Sequence, residues 1–231
     1  MRTLAVLVCL TACQVTHEVD DLARKVQELR VRMHVRFAAT QRVGVALASS
    51  DLPRAQAEAR LIAKLDEPEV LPEWQPYVDN VIAAARQIEL TKDTVAAANM
   101  TALLGRRCAQ CHVALRARIK FPKEPAPTPD RKLATNMASH QWAASRMWEG
   151  LIGPSDDRWL EGARLLSGAR WSIVAEGDVS PELGVADDVA RVQLYASRAI
   201  AAKTQDDRAT IYGELLGTCA RCHHAIRDRL K

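Results

Sequence analysis

The sequence is poor in aromatic residues, carries little net charge and has no apolar run long enough to cross a bilayer. Aromatic residues make up 4% of its 231 residues, whereas Ala, Leu, Arg and Glu are prominent, which favours helices over sheets. The net charge is +4, from 32 basic and 28 acidic residues spread along the chain, so nucleic acid is not an expected partner. We therefore expect an all-α fold, with enough chain for two domains of about 100 residues.

None of the cysteines is left over for a disulfide framework. Two lie within the first thirteen residues, and the others form the pairs of CAQCH and CARCH. In Cys-x-x-Cys-His, the two thiols bond to the vinyl groups of one haem and the adjacent imidazole becomes an axial iron ligand. The spacing predicts two covalently attached haem c groups, held by Cys108, Cys111 and His112 and by Cys219, Cys222 and His223.

Paired cysteines have two other common uses. A thioredoxin-like dithiol would require a strand before the motif, but the surrounding sequence is rich in Ala and typical of helices. A four-cysteine zinc site is conceivable, although 107 residues separate the two pairs. The histidine after both pairs favours haem over either alternative.

The first thirteen residues, MRTLAVLVCLTAC, have a charged start and a short apolar segment, as a targeting leader does. Their end, from Leu10 to Cys13, resembles the lipobox of bacterial lipoproteins, whose cysteine is acylated after cleavage. This resemblance implies a signal peptide over residues 1–13, lipidation of Cys13 and a periplasm-facing protein anchored to the outer membrane rather than the inner one. An ordinary secretory leader is the alternative.

The chain contains an internal repeat. A shift of 104 residues places Met33 on Met137 and Arg42 on Arg146, whereas the two haem motifs lie 111 residues apart. The loop over residues 175–184 is the expected site of the extra residues. The stretch 121–130 contains four prolines and predicts a semi-rigid spacer. We predict one haem domain over residues 14–120, the linker, and a second haem domain over residues 131–231.

Apolar periodicity predicts four helices in each half, which would pack as two tandem antiparallel bundles. The predicted ranges are 19–48, 53–65, 72–90 and 93–119, then 131–152, 156–174, 185–203 and 206–230.

In such a bundle, the end of the fourth helix lies beside the start of the first, so a sixth iron ligand should come from there. Met33 is the candidate for the first haem and Met137 for the second, although both are also suited to filling a core. His140, one turn after Met137, is the rival ligand at the second haem.

These features together resemble the four-helix-bundle cytochromes c, the class of cytochrome c prime and its methionine-ligated relatives, over nearly all of the mature chain. In that family an aromatic and a basic residue follow the motif, and here VALR and HAIR follow. Arg116 and Arg227 match the basic position and are candidate partners of the haem propionates, whereas Leu115 and Ile226 replace the aromatic residue.

A haem iron with both axial positions filled by protein groups exchanges single electrons and has no substrate site. We therefore expect a dihaem electron carrier, not an enzyme, that passes electrons between periplasmic or outer-membrane redox proteins. The alternative is an open haem that binds nitric oxide or carbon monoxide. The resemblance also implies that a homodimer could form through the first helix.

Overall fold

The computed structural model describes residues 3–64, 71–128, 133–168 and 185–229. They contain eight helices and no strand, so the predicted all-α fold is confirmed. In the first half the helices are α1 (Thr3–Ala48), α2 (Leu52–Lys64), α3 (Gln75–Leu90) and α4 (Thr94–Ala114). In the second half they are α5 (Leu133–Ile152), α6 (Asp156–Gly168), α7 (Ala186–Ala201) and α8 (Gln205–Arg229). The predicted loop over residues 175–184 lies outside the described residues.

Local capping explains where several helices begin. The Asp93 carboxylate accepts a hydrogen bond from the Ala96 amide at 2.7 Å and caps α4. At the start of α8, the Thr204 hydroxyl accepts from the Asp207 amide at 3.0 Å, while the Asp207 carboxylate accepts from Thr204 in return. This reciprocal pair satisfies amides that have no partner inside the helix.

Two helix boundaries differ clearly from the prediction. α1 begins at Thr3, well before residue 19, and continues without a break to Ala48. α4 ends at Ala114 rather than at residue 119, because Arg116 has a left-handed backbone with φ of 50°. The amides of Arg116 and Ala117 turn back to the carbonyls of Val113 and His112, which closes the helix in a Schellman turn.

Helices that follow one another in sequence pack together within each half, and the two halves meet along α4 and α8. α1 and α5 each contact both of these helices. One buried apolar core therefore contains side chains of both halves, among them Val43, Leu47, Ile62, Ile88, Leu104, Met147, Leu151, Trp159 and Leu215. The described core thus crosses the predicted boundary between two haem domains, and the division into separate bundles stays a prediction.

The first residues of the predicted linker are held against the second half. Arg158 donates to the carbonyls of Phe121 and Pro122 at 3.2 and 2.9 Å, and buried Arg146 donates to that of Pro122 at 3.3 Å. The Phe121 ring lies 5.6 Å from that of Phe37 on α1. These contacts fix the chain between the halves more firmly than its prolines alone would.

Candidate functional site

The two pentapeptides lie in α4 and α8, the helices along which the halves meet. All four cysteines are free thiols, partly shielded from solvent. Residues three apart on a helix face the same side, so the two thiols of each pair are presented together, with the following imidazole beside them. This is the donor set that covalent haem attachment requires.

Burial favours the protonated form of three of the thiols. Burial raises the pKa of Cys108 to about 12, a rise that the nearby charge of Arg36 opposes. Burial similarly raises the pKa of Cys219 to about 12 and that of Cys222 to about 11. A reactive dithiol or a zinc ligand needs an accessible thiolate, which electropositive surroundings favour and burial disfavours. These surroundings do not suit a thioredoxin-like site.

The His112 ring is oriented by a backbone carbonyl. Its Nδ1 lies 2.7 Å from the carbonyl oxygen of Ile152, the last residue of α5. Because a carbonyl only accepts, Nδ1 carries the proton and Nε2 keeps its lone pair. Burial lowers the pKa of His112, so the ring is neutral at neutral pH. A neutral imidazole with Nδ1 bonded to a carbonyl is the form in which histidine binds a metal.

His223 has the same type of partner. It is hydrogen-bonded to the backbone of Ala48, the last residue of α1, and burial lowers its pKa. Ala48 and Ile152 occupy equivalent positions of the repeat, since they are separated by the same 104 residues as Met33 and Met137. Each motif histidine therefore contacts the same position of the repeat, His223 in the first copy and His112 in the second.

The second site brings several predicted residues together. Met137, Cys222 and Ile226 all pack against Val185, the residue that precedes α7. His140 lies close enough to His223 for the two charges to interact: burial, with a further contribution from His223, lowers the pKa of His140 to about 4. Both Met137 and the rival His140 therefore lie near the second motif.

At the first site, the C-terminal third of α1 lies near the motif. Arg36 is buried and lies near Cys108, and half-buried Met33 lies one helical turn earlier. Sequence reasoning missed Arg36, although the repeat contained the signal, because a shift of 104 residues places Arg36 on His140. The same position therefore carries a guanidinium at one site and a neutral imidazole at the other.

The two motifs lie at opposite ends of the α4–α8 pair. Arg106 of α4 forms an ion pair with Asp206 of α8 at 2.6 Å, and Asn99 faces Gly213, so the helices run antiparallel. Thirteen residues separate Asp206 from Cys219, which places the two cysteine pairs roughly 20 Å apart along the helices. A single zinc site made from both pairs does not assemble in this arrangement.

An aromatic pair lies between the two sites. The rings of Trp148 and Tyr212 are 5.4 Å apart, and both residues are buried. Trp148 also donates to the Thr40 hydroxyl at 3.3 Å and covers Gly105 of α4. This pair joins α1, α4, α5 and α8.

The two arginines predicted to bind propionates are exposed. Arg116 occupies the left-handed position that ends α4, and Arg227 donates to the carbonyl of Ser50 at 3.2 Å. Their role toward a propionate stays a prediction. Cys13, the predicted lipidation site, lies within α1, and its side chain is outside the described part of the structure.

Comparisons with protein families, with curated proteins and with solved structures find no match to this chain. Among the described residues, no helix combines the length and the apolar character that crossing a membrane requires.

Proposed function

We propose that this protein is a dihaem c-type cytochrome of the four-helix-bundle class that carries electrons between redox proteins. The observation that carries the proposal is the state of the two motif histidines. Both are partly buried, both are neutral at neutral pH, and both are hydrogen-bonded to a backbone group at the end of a helix. A structural histidine needs no such repeated partner, whereas an axial iron ligand benefits from one.

The described residues fit a covalently bound haem in each half. Cys108 and Cys111 would hold the first through thioether bonds, and Cys219 and Cys222 the second. His112 would supply the iron-binding nitrogen of the first from Nε2, because the tautomer fixed by the Ile152 carbonyl leaves that atom available, and His223 would supply that of the second. When bound, haem iron supplies reversible one-electron exchange.

The sixth coordination position separates the two candidate functions. Met33 and Met137 are the proposed ligands, and the packing of Met137 against Val185 beside Cys222 supports a closed second site. A closed site favours electron transfer over catalysis, since it has no position for a substrate. Open coordination at either haem would instead support the binding of nitric oxide or carbon monoxide.

The proposed location follows from the leader. Acylation of Cys13 would anchor the protein to the outer membrane, facing the periplasm, where its redox partners would dock. The presence or absence of an acylated Cys13 in membrane fractions, measured by mass spectrometry, tests this part of the proposal independently of the haem.

Optical spectra of the full chain, produced in a host with the c-type haem assembly machinery, test the function. We expect sharp reduced α-bands, a weak near-infrared methionine band in the oxidised form and no response to carbon monoxide. A shift of the absorption bands on addition of carbon monoxide would show an open coordination site, and gas binding would then replace electron transfer as the proposed function.

Matched variants test the attachment. Cys108→Ala with Cys111→Ala should remove one covalent haem, and Cys219→Ala with Cys222→Ala should remove the other. Two haems retained in both variants would overturn the proposal.

A further inference from the structure

We propose that the axial histidine of each haem is positioned by the other half of the protein, through the C-terminal ends of α1 and α5. This inference rests on the proposed haem function and goes beyond it. His112 belongs to the first half and contacts the Ile152 carbonyl of the second at 2.7 Å. His223 belongs to the second half and hydrogen-bonds to the backbone of Ala48 in the first. The two contacts are reciprocal and equivalent in the repeat.

The way α1 ends directs the Ala48 carbonyl to this role. The amides of Ser50 and Asp51 both turn back at 2.8 Å, onto the carbonyls of Leu47 and Ala46, and Ser50 has φ of 55°. This Schellman turn satisfies the two carbonyls that precede Ala48. The carbonyl of Ala48 then lies at the helix end, where the backbone of this residue contacts His223.

α5 ends in a related way. The amides of Gly153 and Ser155 turn back to the carbonyls of Glu149 and Gly150, at 2.9 and 3.1 Å. The Ile152 carbonyl again lies beyond the carbonyls that the turn uses, and it receives the His112 Nδ1. The same helix ending thus produces the same acceptor on both sides of the molecule.

Each of these helices reaches both sites. α1 brings Met33 and Arg36 to the first motif and Ala48 to the second, and the fifteen residues from Met33 to Ala48 span roughly 22 Å. α5 has the same fifteen-residue separation between Met137 and Ile152. One rigid helix therefore carries a candidate sixth ligand for one haem and the hydrogen-bond acceptor for the other.

In this arrangement, a change in one half of the protein alters the haem that is bound by the other half. An Nδ1–H bond to a carbonyl increases the basicity of the coordinating nitrogen, which stabilises oxidised iron and lowers the reduction potential. A change at the end of α1 should therefore alter the haem on His223 and leave the haem on His112 unaffected. If each half were independent, the same change would act on its own haem.

Ser49→Pro is the test variant. Proline disfavours a helical backbone at the preceding residue, so it turns the Ala48 carbonyl away, and it removes the 3.0 Å bond from the Ser49 amide to Val45. Ser49→Ala keeps the amide and is the matched control. Both changes are made in two full-length parents, one lacking Cys108 and Cys111 and the other lacking Cys219 and Cys222, so that each retains one haem.

Redox titration of the single haem in each chain gives the result. We expect Ser49→Pro to raise the reduction potential of the haem on His223 and to leave that of the haem on His112 unchanged. Ser49→Ala should change neither potential. A shift confined to the haem on His112, or no shift at either haem, would overturn this inference alone. Absence of covalent haem from both parents would overturn the proposed function as well.

A second measurement decides the matter if Ser49→Pro does not fold. In the reduced wild-type protein, labelled with ¹⁵N in histidine and ¹³C in the carbonyls of Ala and Ile, a hydrogen bond couples the imidazole nitrogen to the acceptor carbonyl carbon. Couplings from His112 to Ile152 and from His223 to Ala48 are expected. Couplings to carbonyls of the same half, or none, would contradict the reciprocal arrangement.

Discussion

Replacing Gly105 with alanine should disturb the close contact between α4 and α5. A methyl group at this position would lie 2.6 Å from Cζ3 of Trp148 and 2.9 Å from Cδ2 of Leu151. Ordinary contacts between carbon atoms are about 3.5–4.0 Å, so the indole would have to move by about 1 Å. It has little freedom, because the Tyr212 ring lies 5.4 Å from it and the Thr40 hydroxyl accepts its N–H.

The expected magnitude follows from two opposing effects. Overpacking a core typically costs about 1–3 kcal/mol, and alanine in place of glycine inside a helix returns about 1 kcal/mol. Gly217→Ala in α8 is the matched control, since its methyl would lie 3.5 Å from Cγ1 of Val95, an ordinary contact. Only the favourable effect then remains, so the control should be more stable than Gly105→Ala by about 1–3 kcal/mol.

Urea unfolding followed by helical circular dichroism measures this difference in the full chain. Because Ile152 follows Leu151, Gly105→Ala should also weaken the contact to His112 and raise the potential of the proposed first haem, which Gly217→Ala should not do. Equal stabilisation by the two substitutions would refute the tight packing described for Gly105.

Three further changes test separate parts of the structure. Burial raises the pKa of Glu149 above its ordinary 4.5, although Arg146 and Arg158, at 3.0 and 3.6 Å, oppose the rise. Just above pH 4.5 the native state therefore binds more protons than the unfolded chain, and the free energy of unfolding falls as pH rises. Glu149→Gln should remove this slope from unfolding curves measured upward from pH 4.5, and an unaltered slope would assign it to other groups. Trp159→Phe removes the 2.7 Å bond to the Ala199 carbonyl from a fully buried side chain and should cost about 1–3 kcal/mol in chemical unfolding, so unchanged stability would contradict it. His140→Leu should leave the near-infrared methionine band at its original intensity, whereas a stronger band would identify His140 as the native ligand of the second haem.

The sequence contained enough information for the helices and for the two motifs. Most helix boundaries lie close to those that periodicity predicts, because apolar spacing and capping residues act locally. The start of α1 and the end of α4 were harder to predict. The Arg116 turn that closes α4 depends on a left-handed backbone that no glycine or proline marks.

Packing of the helices brings some of the candidate residues near a motif. Met137 and His140 lie near the second motif, and Arg36 of α1 lies near the first, whereas iron ligation by Met33 or Met137 stays a prediction. The position of Arg36 near the first motif could have been predicted from its register with His140. Its burial beside Cys108 could not, since a lone arginine on a helix is usually solvated.

The amino-acid sequence by itself determined the all-helical fold, the two Cys-x-x-Cys-His motifs and the duplication, because each of these depends only on residue types and their spacing. The tertiary structure alone decided that the two halves share one core and that each motif histidine bonds to the other half. The acceptors of those bonds are backbone carbonyls, which every residue possesses, so the identities of Ala48 and Ile152 give no sign of their role. Only the packing of α1 and α5 against both α4 and α8 selects them.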